Sequence, residues 1–149
     1  MTSAPVDPGY YTVTASFAGD ANYTPASASA TLMIAYEVRS LTDLSRAFNS
    51  GRTIPIKLRL TDAAGNNLSS SSIDLTAIRL ERVNADGTTT QVSLQDAGGS
   101  NPGNLFRYDA ALGGYIFNLS TKGLGAGTYA FFWTAEGDPT QHELSFKLS

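Results

Sequence analysis

Near the end of the chain, Glu136, Asp138, His142 and Glu143 bring three carboxylates close to the single histidine. Those residue types could bind a metal or exchange protons. The spacing suits zinc poorly, because zinc sites usually take three or four nitrogen or sulfur donors. Asp138-Pro139 also has the form of an ordinary turn, so a structural role is expected and no metal. Oxygen donors group at Asp62 with Asn66 and Asn67, and at Asp20 with Asn22. Calcium takes such ligands, but neither group has the acidic density of a dedicated site. Asp, Asn and Gly are turn formers in their own right, and turns are the expectation at both places.

Lys57 and Asn118 could in principle condense to an isopeptide crosslink with loss of ammonia, promoted by a buried acid. The alternation around Lys57 sets it opposite an Ile/Leu face, so it is expected in solvent or beside a carboxylate. Tyr10, Tyr108, Tyr115 and Trp133 are aromatic rings of the kind that stack on sugars. Trp133 lies in register with Tyr129 and Phe131 and is expected in the core. Tyr108 is less constrained, and it is the candidate ligand contact. Asn22, Asn67 and Asn118 fit the N-glycosylation pattern. No Ser-His-Asp arrangement, phosphate-cradling glycine loop or paired-carboxylate cleft is apparent, so no catalytic residue, metal ligand or cofactor site is expected.

The elements that must position these groups read as strands. Of 149 residues, 42% are hydrophobic and only 15% charged, with 14 Gly and 6 Pro. Ser and Thr are abundant, and no stretch keeps a 3.6-residue period. That mixture suits short strands joined by polar turns. The length accommodates one β-sandwich plus a fragment. A net charge of −3 and a pI near 4.9, with no basic stripe, speak against nucleic acid. No run of 18 apolar residues is present, and residues 1–15 lack the basic start and apolar core of a signal peptide. The first Met fits a recombinant fragment. Cysteine is absent, which excludes a disulfide framework and thiolate metal sites.

Segment 1–35 predicts a β-hairpin. Tyr11, Val13, Ala15 and Phe17 alternate with Thr12, Thr14, Ser16 and Ala18, giving one apolar and one polar face. Two strands alone cannot bury a face. That face is therefore expected against residues 36–149, against a second copy, or against a neighbouring unit. The run LMIAYEVRSL at 32–41 continues without Gly or Pro, which predicts a stiff junction. TDLSRAF at 42–48 predicts one helical turn capped by Thr42 or Asp43. Ile54, Ile56, Leu58 and Leu60 alternate with Pro55, Lys57, Arg59 and Thr61 in the clearest strand, with Pro55 at an edge or strand start. Turns at 62–67 and at Asn84–Gly87 bound a strand at 73–83. Residues 98–104 read as a loop, and 105–120 as a hairpin with Tyr115, Phe117 and Leu119 inward. Strands recurring at this spacing argue for an antiparallel sandwich.

One pattern occurs twice. GYYTVTASFAGD at 9–20 and GTYAFFWTAEGD at 127–138 share a Gly two before a Tyr, an alternating strand and a closing Gly-Asp. A second strand follows each, at 28–35 and 142–149. Leu124, Gly127 and Tyr129 fit a tyrosine corner, and Val6, Gly9 and Tyr11 repeat its spacing. Both units are therefore expected to have immunoglobulin-like topology. Only the second copy has the rest of a sandwich ahead of it, so the chain is expected to begin inside one domain and continue to the end of the next.

GYYTVTASFAGDANYTPASASATLMI resembles the closing third of a bacterial Ig-like repeat of the tandem surface-protein (Big) type. Residues 40–149 resemble the PxKF domain of secreted bacterial proteins, through TIPIKLRLTDAAGN, NPGNLFRYDAALGGYIFNLSTKGL and AGTYAFFWTAEGDPTQHELSFKL. Leu58 replaces the Phe for which that family is named. The resemblance implies an all-β chain: residues 1–35 the final hairpin of a truncated Ig-like domain, residues 36–149 a complete immunoglobulin-like antiparallel β-sandwich. It also implies a non-catalytic accessory module of a secreted or cell-surface bacterial protein, spacing or presenting neighbouring domains of the same polypeptide. Adhesion to a glycan or protein is the other reading. A homodimer through the N-terminal hairpin is a possible partnership; nucleic acid and membrane insertion are not expected.

Overall fold

The computed structural model describes residues 3–97 and 103–149. Most of the loop expected at 98–104 thus lies outside the described residues. The described residues are all-β, with no helix. In chain order the strands are β1 (Gly9–Phe17), β2 (Ala26–Ile34), β3 (Glu37–Ser40), β4 (Ala47–Phe48), β5 (Thr53–Thr61), β6 (Leu75–Val83), β7 (Thr89–Val92), β8 (Arg107–Asp109), β9 (Gly114–Ser120), β10 (Gly127–Ala135) and β11 (Gln141–Leu148). They make three sheets, ordered β1-β2, β4-β11-β10-β6-β7 and β3-β5-β9-β8. Every pairing between these strands is antiparallel except the short parallel match of β4 to β11.

The two larger sheets close over one core. Strict alternation in β5 sends Ile54, Ile56, Leu58 and Leu60 inward, each at most 1% exposed. β9 adds Tyr115, Phe117 and Leu119 from the same sheet; β10 and β11 face them with Tyr129, Phe131, Trp133, Phe146 and Leu148. Phe117 meets Phe106 at 5.1 Å and Phe131 at 5.4 Å between ring centroids. Each such side chain withdrawn from water contributes about 1.5–3 kcal/mol, the driving term for the sandwich.

β6 departs from plain alternation. Its register against β10 shifts between Phe132 and Trp133, which oppose Arg79 and Ala77 and leave Ile78 as an extra residue. Ile78 is 41% exposed, while Leu75, Ala77 and Leu80 are buried. The bulge thus turns Leu80 inward and Arg79 outward. There the Arg79 guanidinium lies 3.8 Å above the Phe132 ring and bonds Glu81 at 2.6 Å and Gln141 at 2.7 Å.

Pro55 is exposed on a strand flanked by β3 and β9, but β3 pairs only with residues 58–61. Beside Pro55 the place of a strand is taken by Thr42, whose hydroxyl donates to the Pro55 carbonyl at 2.7 Å and accepts from the Lys57 amide at 2.8 Å. This use of Thr42 also overturns the helical turn expected at 42–48. Asp43 bonds the Ser45 amide and hydroxyl locally, and Ala47–Phe48 runs extended beside β11. Pairing with the sandwich edge outweighs the local helix signal.

Both repeats close in the same way. The Tyr129 hydroxyl donates to the Gly125 carbonyl, and the Tyr11 hydroxyl to the Asp7 carbonyl, each at 2.8 Å and four residues back. The glycine two before each tyrosine has positive φ, +154° at Gly127 and +146° at Gly9, a region open essentially to glycine alone. The surroundings differ. Tyr129 is in the core, whereas β1 and β2 pair only with each other, leaving Val13 49%, Phe17 47% and Leu32 41% exposed. Residues 36–149 therefore do not cover the apolar hairpin face, contrary to the first of the expectations above. The hairpin meets the sandwich only near its base.

Removing the hydroxyl at each corner separates the two units. Tyr129→Phe should destabilise the main unfolding transition by about 1–2 kcal/mol, the usual consequence of losing a buried hydrogen bond. Tyr11→Phe should leave that transition in place. Thermal and urea unfolding followed by Trp133 fluorescence would check both, and a large loss from Tyr11→Phe would show the hairpin to be part of the cooperative core.

Candidate functional site

The sequence candidates do not converge on one site. Tyr108 is half-buried on edge strand β8, its ring 5.5 Å from that of Tyr115 in an edge-on contact. Tyr115 in turn donates to the Ser70 carbonyl at 2.9 Å and accepts from the Ser70 amide at 3.0 Å, and burial pushes its hydroxyl pKa up. Trp133 is fully buried, and Tyr10 is 67% exposed at the start of β1. Lys57 opposes Ile116 across β5 and β9, with Asn118 two residues along, opposite Pro55. Lys57 is half-buried on the outward side of β5, between Ile56 and Leu58, which are fully buried.

The Asp62 carboxylate is taken up by its own turn. One oxygen accepts from the Ala64 and Asn66 amides at 2.9 and 2.8 Å, the other from the Asn66 side-chain amide at 2.8 Å. These bonds, first the one from the Asn66 side chain, hold its carboxyl below the usual range. Asn67 bonds elsewhere, to the Gly113 carbonyl at 2.8 Å. Asp20 likewise accepts from the Asn22 and Tyr23 amides at 2.8 and 2.9 Å. Among the described residues no three His, Cys, Asp or Glu side chains assemble as a metal cluster.

The Asp138–His142 pair does come together, in a role its composition did not suggest. The Asp138 side chain is fully withdrawn from solvent and that of His142 is 12% exposed. One Asp138 oxygen accepts from the Thr140 amide at 2.8 Å, which shapes the turn after β10. The other accepts from His142 Nε2 at 2.8 Å and from the Tyr36 backbone amide at 2.9 Å. With the carboxylate oxygen as acceptor, Nε2 is the ring nitrogen that carries the proton. The imidazole stacks on the Trp133 indole, with centroids 4.5 Å apart and planes 22° from parallel. Glu136 and Glu143 flank the pair in sequence but take no part in it.

Tyr36 gives the contact its meaning. Only Ala35 and Tyr36 stand between β2 and β3, so the Tyr36 amide belongs to the junction of hairpin and sandwich. Asp138 thus joins a connection at one end of the chain to a turn 102 residues later. Bonds from neutral donors to a charged acceptor contribute about 1.5–3 kcal/mol each. The Tyr36 hydroxyl is held above the usual phenol range by burial, reinforced by the negative charges of Asp138 and Asp7. A cleft of about 360 Å3 lies beside the joint, where Val6, Pro8 and Ile34 of the hairpin base face Tyr36, Asp62 and Leu68. Chemically the arrangement positions backbone; it brings no nucleophile and base together.

Set against known proteins, the chain matches no protein-family model and no curated protein.

Asp138→Ala should leave the sandwich folded while freeing the Tyr36 amide and the His142 ring. Residual dipolar couplings give the readout. In the parent protein, hairpin and sandwich amides should fit one alignment tensor, and in the variant two. Two tensors in the parent would show that the carboxylate does not set the joint.

Proposed function

We propose that this chain is a mechanical spacer: a non-catalytic module that holds neighbouring domains of one polypeptide at a set distance and angle. The observation that carries the reading is the junction, two residues long and with its backbone bonded to the buried Asp138 carboxylate. A connection of that kind transmits orientation, whereas a Gly/Ser-rich one would not.

The fold within this reading is immunoglobulin-like. Support comes from the strand orders β3-β5-β9-β8 and β4-β11-β10-β6-β7, which correspond to the two sheets of that topology when β3 and β4 are taken as one edge strand divided between them. The tyrosine corner at Tyr129 adds to it. Residues 1–35 then form the closing hairpin of a preceding unit, since β1 and β2 repeat the corner, the register and the Gly-Asp turn of β10 and β11. On this assignment the module belongs to a tandem array of the bacterial Ig-like and PxKF kinds, on a secreted or cell-surface protein.

Adhesion is the second reading. It is favoured by the exposed rings of Tyr10 and Tyr23, 67% and 70% accessible on the hairpin, together with Tyr108 at the sandwich edge. Small-angle scattering and a glycan array separate the two. A spacer gives one narrow distribution of extended shapes, broadened when Gly-Ser-Gly-Ser is inserted between Ala35 and Tyr36, and no reproducible glycan binding. A broad distribution in the uninserted chain would defeat the spacer reading, and glycan binding lost in Tyr108→Ala would replace it with adhesion.

A further inference from the structure

The outward face of the sheet β3-β5-β9-β8 is cationic, although the chain as a whole is acidic. The alternation that turns Ile56, Leu58 and Leu60 inward turns Lys57 and Arg59 outward. Register supplies their neighbours. Arg39 of β3 stands directly opposite Arg59, and Ile116 of β9 stands between Lys57 of β5 and Arg107 of β8. The acids in these outward rows are Glu37, opposite Thr61, and Asp109, opposite Gly114. Asp109 lies 3.6 Å from Arg107, whereas Arg39, Lys57 and Arg59 form no ion pair among the described residues. The other sheet treats its outward arginine differently: Arg79 is closed off by Glu81, Gln141 and the Phe132 ring.

Like charges directly opposite on neighbouring strands destabilise a sheet. Arg39 against Arg59 breaks that rule with no carboxylate to relieve it, and local rules of this kind are broken mainly at functional sites. Arg59 is nonetheless held in position. Its Nε and Nη2 both donate to the Leu112 carbonyl, which orients the guanidinium and leaves its charge intact. A side chain at Gly114 would meet Arg59 Cγ at 3.1 Å, so glycine there leaves the stem room to lie across β9.

We propose that this face receives an extended acidic segment of another protein, with carboxylates on alternate residues. Alternate residues of an extended chain recur about every 6.6–6.8 Å. That is the interval between Lys57 and Arg59 along β5, and equally between carboxylates on one side of an extended peptide. Arg39 flanks this line on one side and Arg107 on the other, and guanidinium forks grip carboxylates through paired bonds. This chain holds no such segment of its own: its acids two residues apart are Glu136 and Asp138, and Asp138 is buried. A nucleic acid fits less well, because the outward rows of these four strands carry no aromatic ring on which bases could stack. The inference concerns the sandwich alone and does not depend on the spacer role.

The test uses the whole chain, isotope-labelled for amide NMR, and a capped peptide of alternating glutamate and threonine. Titration should shift amides of β3, β5 and β9, and the affinity should fall as salt is added, since screening acts over about 10 Å at 0.1 M. The same peptide with glutamine for glutamate should shift none of them. Arg39→Glu should raise the dissociation constant at least about tenfold. Because it turns a repulsive pair into an attractive one, the variant should also unfold at a temperature no lower than the parent's. Lys147→Glu, on the outward side of the other sheet, makes the same change in net charge and should leave the affinity nearly unchanged. Absence of shifts at millimolar peptide would overturn the proposal, as would equal losses from the two variants or a lowered unfolding temperature in Arg39→Glu. Tighter binding of an oligothymidylate of the same charge would overturn it too.

Discussion

The organisation of this chain depends on one buried carboxylate. Asp138 has no exposed side-chain surface, and its oxygens are divided between its own turn, the His142 ring and the Tyr36 amide. Withdrawing a carboxylate from water is expensive unless hydrogen bonds replace the lost hydration. The three donors meet that requirement only while the junction stays where it is. Moving the hairpin away would strip the carboxylate of a partner, so its desolvation becomes a restoring force on the joint. The His142–Trp133 stack links this latch to the core, because Trp133 is a fully buried residue of β10.

The rest of the architecture puts the latch in place. The apolar rows of β5, β6, β9, β10 and β11 set the sandwich, and the turn between β10 and β11 presents Asp138 at the end where β3 begins. The hairpin lacks such support. It reproduces the tyrosine corner and register of β10–β11 without the strands that cover them, which shows that the motif's backbone geometry is locally encoded by Gly9, Tyr11 and the alternation of β1. Burial is a separate matter, supplied in the second copy by β6 and the facing sheet and absent from the first.

Much of the fold was legible in the sequence where one local rule decides the outcome. Alternation located β1, β5 and β9 and the inward faces of β5 and β9, the Asn84–Gly87 turn located the β6–β7 hairpin, and the glycine-tyrosine spacing located both corners. Elements governed by distant partners were not legible. The Ile78 bulge answers to pairing with β10, and the extended path of 42–48 answers to Thr42 bonding across to Pro55 and Lys57. At the candidate site, Asp138 and His142 drew notice for their chemistry, yet the group that ties Asp138 to the junction is a backbone amide. Nothing in a side-chain pattern marks such a partner, and only the short, glycine-free run through Ala35 and Tyr36 hinted that the joint would be stiff. The acidic turn at Asp62 was legible as a turn because its donors are all within four residues.

A joint held through a single hydrogen bond can be read at a single proton. Amide hydrogen exchange of Tyr36 tests the account most directly. If the Asp138 carboxylate holds the junction, the Tyr36 amide exchanges as slowly as core amides of β10. Exchange at the rate of an open loop would contradict it.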